Sequence, residues 1–122
     1  MVDALGNPVA FHLTGGHAHD LAGADALLAH IAAPTLIADR GDDAEARVLA
    51  PLREAGKAAV IPPKRNRKAP RDYDHDLYAA RHLIENFFCK LKQFRGIATR
   101  YDKTRCSFLA GVYLAASAIL LN

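Results

Sequence analysis

The chain has 122 residues, 51% hydrophobic and 24% charged, which is the size and composition of one ordinary globular domain. Its two cysteines, Cys89 and Cys106, are too few for a disulfide scaffold, and we expect them to be buried thiols of a cytosolic protein. The N-terminus lacks a signal-peptide pattern, and the most apolar run, residues 108–121, is shorter than the roughly 20 residues of a membrane span. These observations exclude the secreted, collagenous and membrane-spanning classes.

Charge is distributed unevenly between the two parts of the sequence. Residues 1–50 contain seven acidic and two basic residues, a net charge of −5, whereas residues 51–122 contain fourteen basic and six acidic residues, a net charge of +8. Such a division suits a protein that gathers a divalent metal with one part and a polyanion with the other. Ordinary surface variation is the alternative, and particular residues must decide between them.

The first half predicts a hairpin, a helix and a buried strand. Short apolar runs on either side of a Gly-Asn-Pro turn predict a β-hairpin over residues 1–14. Apolar positions spaced by three and four predict a helix from about residue 20 to residue 31. Residues 34–39 form a short, continuously apolar strand that ends at Asp39, and we expect this strand to be buried on both faces.

The second half predicts a strand between helices. A helix over residues 44–55 is expected to break or kink at Pro51, and an apolar strand follows over residues 58–61. Residues 62–71 read as a basic loop, residues 75–94 as a long helix and residues 103–121 as a C-terminal helix. Strands separated by helices indicate an α/β layer fold with a partly parallel sheet.

The helix over residues 75–94 carries the most informative pattern. Its apolar positions form one broad arc, and Tyr78, Arg81, Glu85 and Lys92 share a strip along the border of that arc. A carboxylate, two cations and a phenol in one line could be a chemical site. They could equally form a salt-bridged helix edge, because Arg81 and Glu85 are four residues apart.

Tyr78, Arg81, Glu85 and Lys92, separated by two, three and six residues, resemble the C-terminal signature of bacterial insertion-sequence transposases of the DDE type. Residues 36–41 (LIADRG) look like the strand that delivers the second catalytic aspartate of that family, and residues 61–68 (IPPKRNRK) look like the strand and basic loop after it. Residues 91–103 are similar to the segment that follows the catalytic glutamate. The similarity covers nearly the whole chain.

The resemblance implies an RNase H-like three-layer α/β fold and a catalytic site of three carboxylates that hold two divalent metals, Mg²⁺ or Mn²⁺. Asp39 and Glu85 would supply two of these carboxylates as catalytic and metal-binding residues. The family's third carboxylate lies on its first, central strand, upstream of the segment that resembles residues 2–8. We therefore expect that strand to be missing, the two-metal site to be incomplete, and the chain to be a partial DDE catalytic domain.

The resemblance also implies DNA as the partner, both the transposon terminal repeats and the target. The expected DNA-binding residues are Tyr78, Arg81, Lys92, Lys64, Arg65, Arg67 and Lys68. The expected function is DNA transposition and recombination by metal-dependent cleavage and strand transfer, an enzyme activity of the family that this chain alone would lack. A cytoplasmic, nucleoid-associated location is expected, with an upstream-encoded transposase half and a homodimer left open as partners. The alternative is a non-catalytic DNA-binding or regulatory remnant.

A histidine pair and a cysteine are further candidates for chemical roles. His17, His19 and Asp20 stand close together after a double glycine and could bind a transition metal, although they also match the connection between a strand and a helix in the resembled family. Cys89 is better read as a small packed residue than as a nucleophile.

Overall fold

The computed structural model describes residues 1–69 and 71–122, without the side chain of Asp20. Its helices and strands are α1 (Ala24–Leu28), β1 (Thr35–Ile37), α2 (Ala50–Glu54), β2 (Ala58–Val60), α3 (His75–Tyr78), α4 (His82–Lys92), α5 (Arg95–Ala98) and α6 (Arg105–Leu121). Turns of 3₁₀ helix lie at Asp20–Gly23, Arg40–Asp42 and Ala79–Arg81, and a π-helical turn lies at Glu45–Leu49. The mixture of helices with a small parallel sheet is an α/β fold, as the sequence predicts.

Residues 14–81 form one compact unit, and residues 1–13 with 82–122 form a second. The first unit contains the sheet. Strands β1 and β2 are parallel, with Leu36 opposite Ala59, and the N–H of Ala38 donates to the carbonyl of Val60 at 3.2 Å. The prediction that β1 is buried on both faces is wrong, because all three of its residues are half-buried. Within the described residues, β2 is the one strand that pairs with it.

The connection from β1 to β2 supplies most of the core of this unit, and Ile61, just after β2, adds to it. Val48, Leu49, Leu52 and Ile61 are buried together, and α1 packs Ala24 and Leu28 against them. The expected irregularity at Pro51 is present, since the π-helical turn before it changes to the α-helix α2, which has this proline in its first turn. Proline has no N–H to donate to a carbonyl of the preceding turn, so an irregular helix is expected at this point.

The second unit is built on α4 and α6. Phe87 and Leu91 of α4 are buried against Val112, Ala115 and Ala116 of α6. Phe11 from the N-terminal segment packs on this cluster, with its ring 5.9 Å from that of Phe87 and 5.4 Å from that of Tyr113. None of the described helices combines the length and apolarity that crossing a membrane requires.

The hairpin predicted over residues 1–14 is reduced to a tight turn. One antiparallel bridge joins Val2 and Pro8, and the N–H of Gly6 donates to the carbonyl of Asp3 at 3.0 Å. Gly6 has φ +85°, which a glycine adopts without strain. The N–H of Asp3 donates to the carbonyl of Asn7 at 2.9 Å and the N–H of Val9 donates to that of Met1 at 3.0 Å, so the bridge does not need an N–H from Pro8.

The helix predicted over residues 75–94 is divided. α3 ends at Tyr78, the 3₁₀ turn Ala79–Arg81 follows, and α4 then runs to Lys92. A 3₁₀ helix turns about 120° per residue, so positions calculated at 100° per residue do not carry across this turn. The predicted single strip of Tyr78, Arg81, Glu85 and Lys92 is therefore not a property of one continuous helix. The C-terminal helix, in contrast, is found within two residues of its expected start.

Candidate functional site

Asp39 lies two residues beyond the end of β1, at the carboxyl edge of the parallel strand pair. Its Oδ1 accepts the backbone N–H of Gly41 at 2.7 Å, so Asp39 is the N-cap of the turn Arg40–Asp42. The side chain is 51% exposed. The cap fixes the carboxylate in place and leaves it open to solvent.

A guanidinium lies beside this carboxylate. Nη2 of Arg81 is 3.8 Å from Oδ2 of Asp39, although 42 residues separate the two in sequence. Arg81 reaches Asp39 from the 3₁₀ turn after α3. Helical periodicity groups Arg81 with Glu85. It does not predict the contact with Asp39, because that contact depends on tertiary folding.

Tyr78 belongs to a small aromatic group in the same unit. The ring of Tyr73 lies 5.5 Å from that of Tyr78, edge to face, and 4.1 Å from that of His75. Asp74 caps α3 by accepting the N–H of Leu77 at 2.8 Å. The cap and the ring contacts together set the position of Tyr78, whose side chain is half-buried.

The predicted basic loop follows β2, so it starts from the same edge of the sheet as Asp39. Its first part is a turn in which the N–H of Arg67 donates to the carbonyl of Lys64 at 3.1 Å. Arg65 and Lys68 are exposed and Lys64 is half-buried. Pro70, within the predicted loop 62–71, lies outside the described residues.

A buried acid that the sequence analysis did not assign holds this loop. The side chain of Asp43 is 1% exposed, and its Oδ2 accepts the backbone N–H of Lys64 at 2.7 Å. Its Oδ1 accepts from Arg67, and from Arg71 at 3.2 Å. Burial alone raises the pKa of Asp43, but the Lys64 N–H and the two guanidinium groups outweigh it and hold the pKa below its ordinary value.

Arg67 is thereby engaged with two carboxylates, because its other terminal nitrogen contacts Glu45 at 2.9 Å. Glu45 also accepts from Arg53 at 2.8 Å, and the two arginines lower the pKa of this glutamate. Arg71 additionally donates to the carbonyl of Ile61 at 2.5 Å. A signal for this network is present in the sequence: Asp42 and Asp43 precede a basic run that contains no acid of its own.

Glu85 and Lys92 lie on α4, in the second unit, and both are exposed. Asp39, Arg81, Tyr78 and the basic loop belong to one unit, in which Asp39 and Arg81 are in contact, and Glu85 and Lys92 belong to the other. The expected proximity of Asp39 and Glu85 stays a prediction.

The family model of the transposase DDE domain matches residues 1–121. This chain belongs to the DDE transposase family. It is also similar to a protein of Brucella ovis named "Putative transposase for insertion sequence element IS6501", with 37% identity over 126 residues that cover all of this chain and 95% of the relative. No solved structure matches the chain. The insertion-sequence transposase resemblance is thus confirmed.

DDE transposases cut and join DNA strands and generally use divalent metals, which carboxylate groups hold. Among the described side chains, no three His, Cys, Asp or Glu residues are grouped so as to hold a metal. Asp39 has the hard oxygen ligands that Mg²⁺ prefers, but by itself it does not make a two-metal site. The described residues do not fit a complete metal centre.

The other candidates in this transposase domain have structural explanations or lie outside the described atoms. His19 caps the turn Asp20–Gly23 by accepting the N–H of Leu21 at 3.3 Å, and His17 is exposed. The carboxylate of Asp20 is outside the described side chains. Cys89 and Cys106 are both exposed, so the prediction that they are buried is wrong.

Proposed function

We propose that this chain is the part of an insertion-sequence transposase that handles transposon-end and target DNA and supplies two of its catalytic carboxylates. Asp39 and Glu85 bind Mg²⁺ or Mn²⁺, and the cations Arg81, Lys92 and those of the basic loop bind DNA phosphates, with Tyr78 beside them. One observation carries the proposal. Arg81 lies 3.8 Å from Asp39, at the sheet edge from which the basic loop also begins.

The parallel arrangement of β1 and β2 explains why these groups meet. The carboxyl ends of parallel strands lie at the same edge of a sheet, where ligands of open α/β folds usually bind. β1 leads into Asp39 and β2 leads into the basic loop. A carboxylate beside several cations has the charge pattern expected of a site that holds a metal and a phosphate backbone together.

The proposed fold is RNase H-like, with β1 and β2 as neighbouring parallel strands and α4 carrying Glu85. Support comes from the register of the pair and from the position of Asp39 just after β1. A two-metal site requires more ligands than Asp39 and Glu85 provide. We propose that a third carboxylate comes from a partner polypeptide, the upstream-encoded transposase half, in a nucleoid-associated assembly in which a homodimer is a further option.

A salt titration tests DNA binding. Each phosphate contact contributes about 0.9 to the slope of log K against log salt concentration. Lys64→Gln/Arg65→Gln/Lys68→Gln should lower that slope by about 2 to 3 and weaken binding to a fluorescent duplex. The matched control is Lys90→Gln/Lys103→Gln/Arg105→Gln, which removes the same charge from exposed positions in the other unit. Equal slopes for both triple variants would show that the loop acts only through net charge.

The second candidate function is a non-catalytic DNA-binding regulator that competes for transposon ends. One observation favours it: Oδ1 of Asp39 already caps a turn through the Gly41 N–H, which is a structural role that needs no metal. This regulator and the transposase both bind DNA, but they differ in metal binding. Mn²⁺ affinity that is unchanged by Asp39→Asn and by Glu85→Gln would favour the regulator.

A further inference from the structure

We propose that Asp43 is the positioning residue of the basic loop, and that it divides the loop cations into two groups. Arg67 and Arg71 are structural, because Asp43 engages them, whereas Lys64, Arg65 and Lys68 are presented to DNA phosphates. This inference rests on the proposed DNA binding. It removes Arg67 from the expected DNA contacts and adds an aspartate that never touches DNA.

The geometry of the Asp43 carboxylate supports the anchoring role. It is almost fully buried and accepts hydrogen bonds from three donors, which are the backbone N–H of Lys64 and the guanidinium groups of Arg67 and Arg71. The donors come from the start, the turn and the end of the loop. A single carboxylate therefore holds the backbone at Lys64 and the side chains of Arg67 and Arg71.

The chemistry of burial explains why this anchor holds. A buried carboxylate that lacked its partners would carry a large desolvation cost, so the folded loop is strongly favoured over arrangements that release the arginines. Arg67 has a second carboxylate partner in Glu45, and its side chain is only 20% exposed. Moving it onto a phosphate would leave Asp43 short of a donor in a site without water access.

The neighbouring cations differ in this respect. Arg65 and Lys68 are exposed, on either side of Arg67 in the same turn region. Two arginines two residues apart, one exposed and one anchored, give a matched pair for experiment. Charge alone predicts that both contribute equally to DNA binding, whereas the Asp43 anchor predicts that only Arg65 does.

The first experiment compares Arg65→Gln with Arg67→Gln in the full 122-residue chain, using a short fluorescent DNA duplex of mixed sequence. Circular dichroism first establishes that both variants are folded at the temperature used. Arg65→Gln should lower the salt slope by about 0.9. Arg67→Gln should leave it unchanged, because the Lys64 N–H and Arg71 still hold the Asp43 carboxylate. If both lower it equally, this inference is refuted while DNA binding stands. If neither lowers it, DNA contact by the loop is refuted as well, and the inference with it.

The second experiment compares two variants that each remove one negative charge, one at Asp43 and one at an exposed site. Asp43→Asn makes the protein more positive by one charge, yet it should weaken DNA binding and lower the salt slope by at least about 0.9, because the loop loses its anchor. Glu54→Gln, an exposed carboxylate on α2, makes the same change in charge and should bind DNA equally well or more tightly. Asp43→Asn that binds as tightly as Glu54→Gln would overturn the proposal.

A double variant separates positioning from simple loss of folding. Asp43→Asn/Arg67→Gln replaces the buried ion pair by two neutral groups that can hydrogen bond, and it restores the net charge of the wild type. Arg71 keeps its bond to the carbonyl of Ile61. The salt slope should return to the wild-type value, although a cation of the loop has been removed. A slope lower than that of either single variant would identify Arg67 as a phosphate contact and refute the proposal.

Discussion

At the scale of single residues, Asp43 and Glu45 link stability to pH. Burial opposes ionisation of Asp43, but the Lys64 N–H, Arg71 and Arg67 lower its pKa below the ordinary 3.8, and Arg53 and Arg67 lower the pKa of Glu45 below 4.5. A carboxyl group with a lowered folded-state pKa stabilises the fold above its unfolded pKa, and this contribution is lost as pH falls through the folded pKa. The free energy of unfolding should therefore decline as pH falls below about 4.5.

Urea denaturation at a series of pH values measures that decline. Asp43→Asn removes one of the two groups, so its stability should depend less steeply on pH over the same acidic range, from a lower starting value. Breaking a buried ion pair by removing one partner costs about 3–5 kcal/mol. A decline as steep as that of the wild type would show that Asp43 does not carry the pH dependence.

The carboxylates of the proposed metal site give a second prediction at the residue scale. If Asp39 and Glu85 share a metal pair, they lie within about 10 Å of each other. Added Mn²⁺ should then broaden the amide signals of Gly41 and of the residues around Glu85 together in a nuclear magnetic resonance titration. Asp39→Asn should reduce the broadening at both places. Broadening confined to one of them would rule out a shared site.

At the scale of elements, two adjacent phenylalanines of α4 have opposite environments. Phe87 is buried against α6, whereas Phe88 is 48% exposed. Phe87→Ala should lower the free energy of unfolding by about 3–5 kcal/mol, because it leaves a cavity in the core. Phe88→Ala, the matched control, should cost much less. Comparable losses in urea denaturation would mean that α4 does not pack as described.

Elements were predictable where a local pattern determines them. β1 and β2 lie where short apolar runs end in Asp39 and in Pro62-Pro63, and the helices near residues 24, 50 and 105 follow their apolar spacing. The break at residues 79–81 was not predictable, because the apolar spacing continues through it. The predicted hairpin is shorter than expected, with one antiparallel bridge between Val2 and Pro8, and Phe11 beyond it packs on α4 and α6.

The candidate site, too, has parts that a local sequence pattern predicts and parts that it does not. Asp39 and the basic loop could be located because each follows a predicted strand. The Asp39–Arg81 contact joins two residues 42 positions apart in sequence, and the contacts of Asp43 with the basic loop join residues more than 20 positions apart. No local sequence pattern predicts contacts over such separations. An aspartate beside another aspartate reads as solvent-exposed, since acids are rarely buried without a partner. In the sequence, the partners of Asp43 appear only as arginines of the basic loop.

At the scale of the whole molecule, the count of carboxylates predicts the activity. In the proposed site, Asp39 and Glu85 would hold one Mg²⁺ weakly and would not fix a second metal. We expect residues 1–122 alone to show no strand cleavage or transfer in Mg²⁺ or Mn²⁺ when incubated with transposon-end DNA. Robust cleavage by this chain would show that the count of site residues is wrong.

Addition of a polypeptide that carries the family's first strand and its aspartate provides the positive arm of that experiment. The combined protein should nick transposon-end DNA, and Glu85→Gln in it should abolish nicking while DNA binding stays intact. Gel electrophoresis of a labelled duplex measures the first, and a binding titration of the same duplex measures the second. Nicking that survives Glu85→Gln would remove Glu85 from the catalytic site.

The exposed thiols have a practical consequence. Cys89 lies on α4 and Cys106 on α6, so both belong to the unit formed by residues 1–13 and 82–122. Maleimide dyes attached to the native protein will therefore report on that unit alone, and a dye for residues 14–81 requires an engineered cysteine. Without a reductant, surface thiols of this kind also cross-link neighbouring molecules, and covalent dimers formed in air would then be mistaken for an assembly that the protein forms by itself.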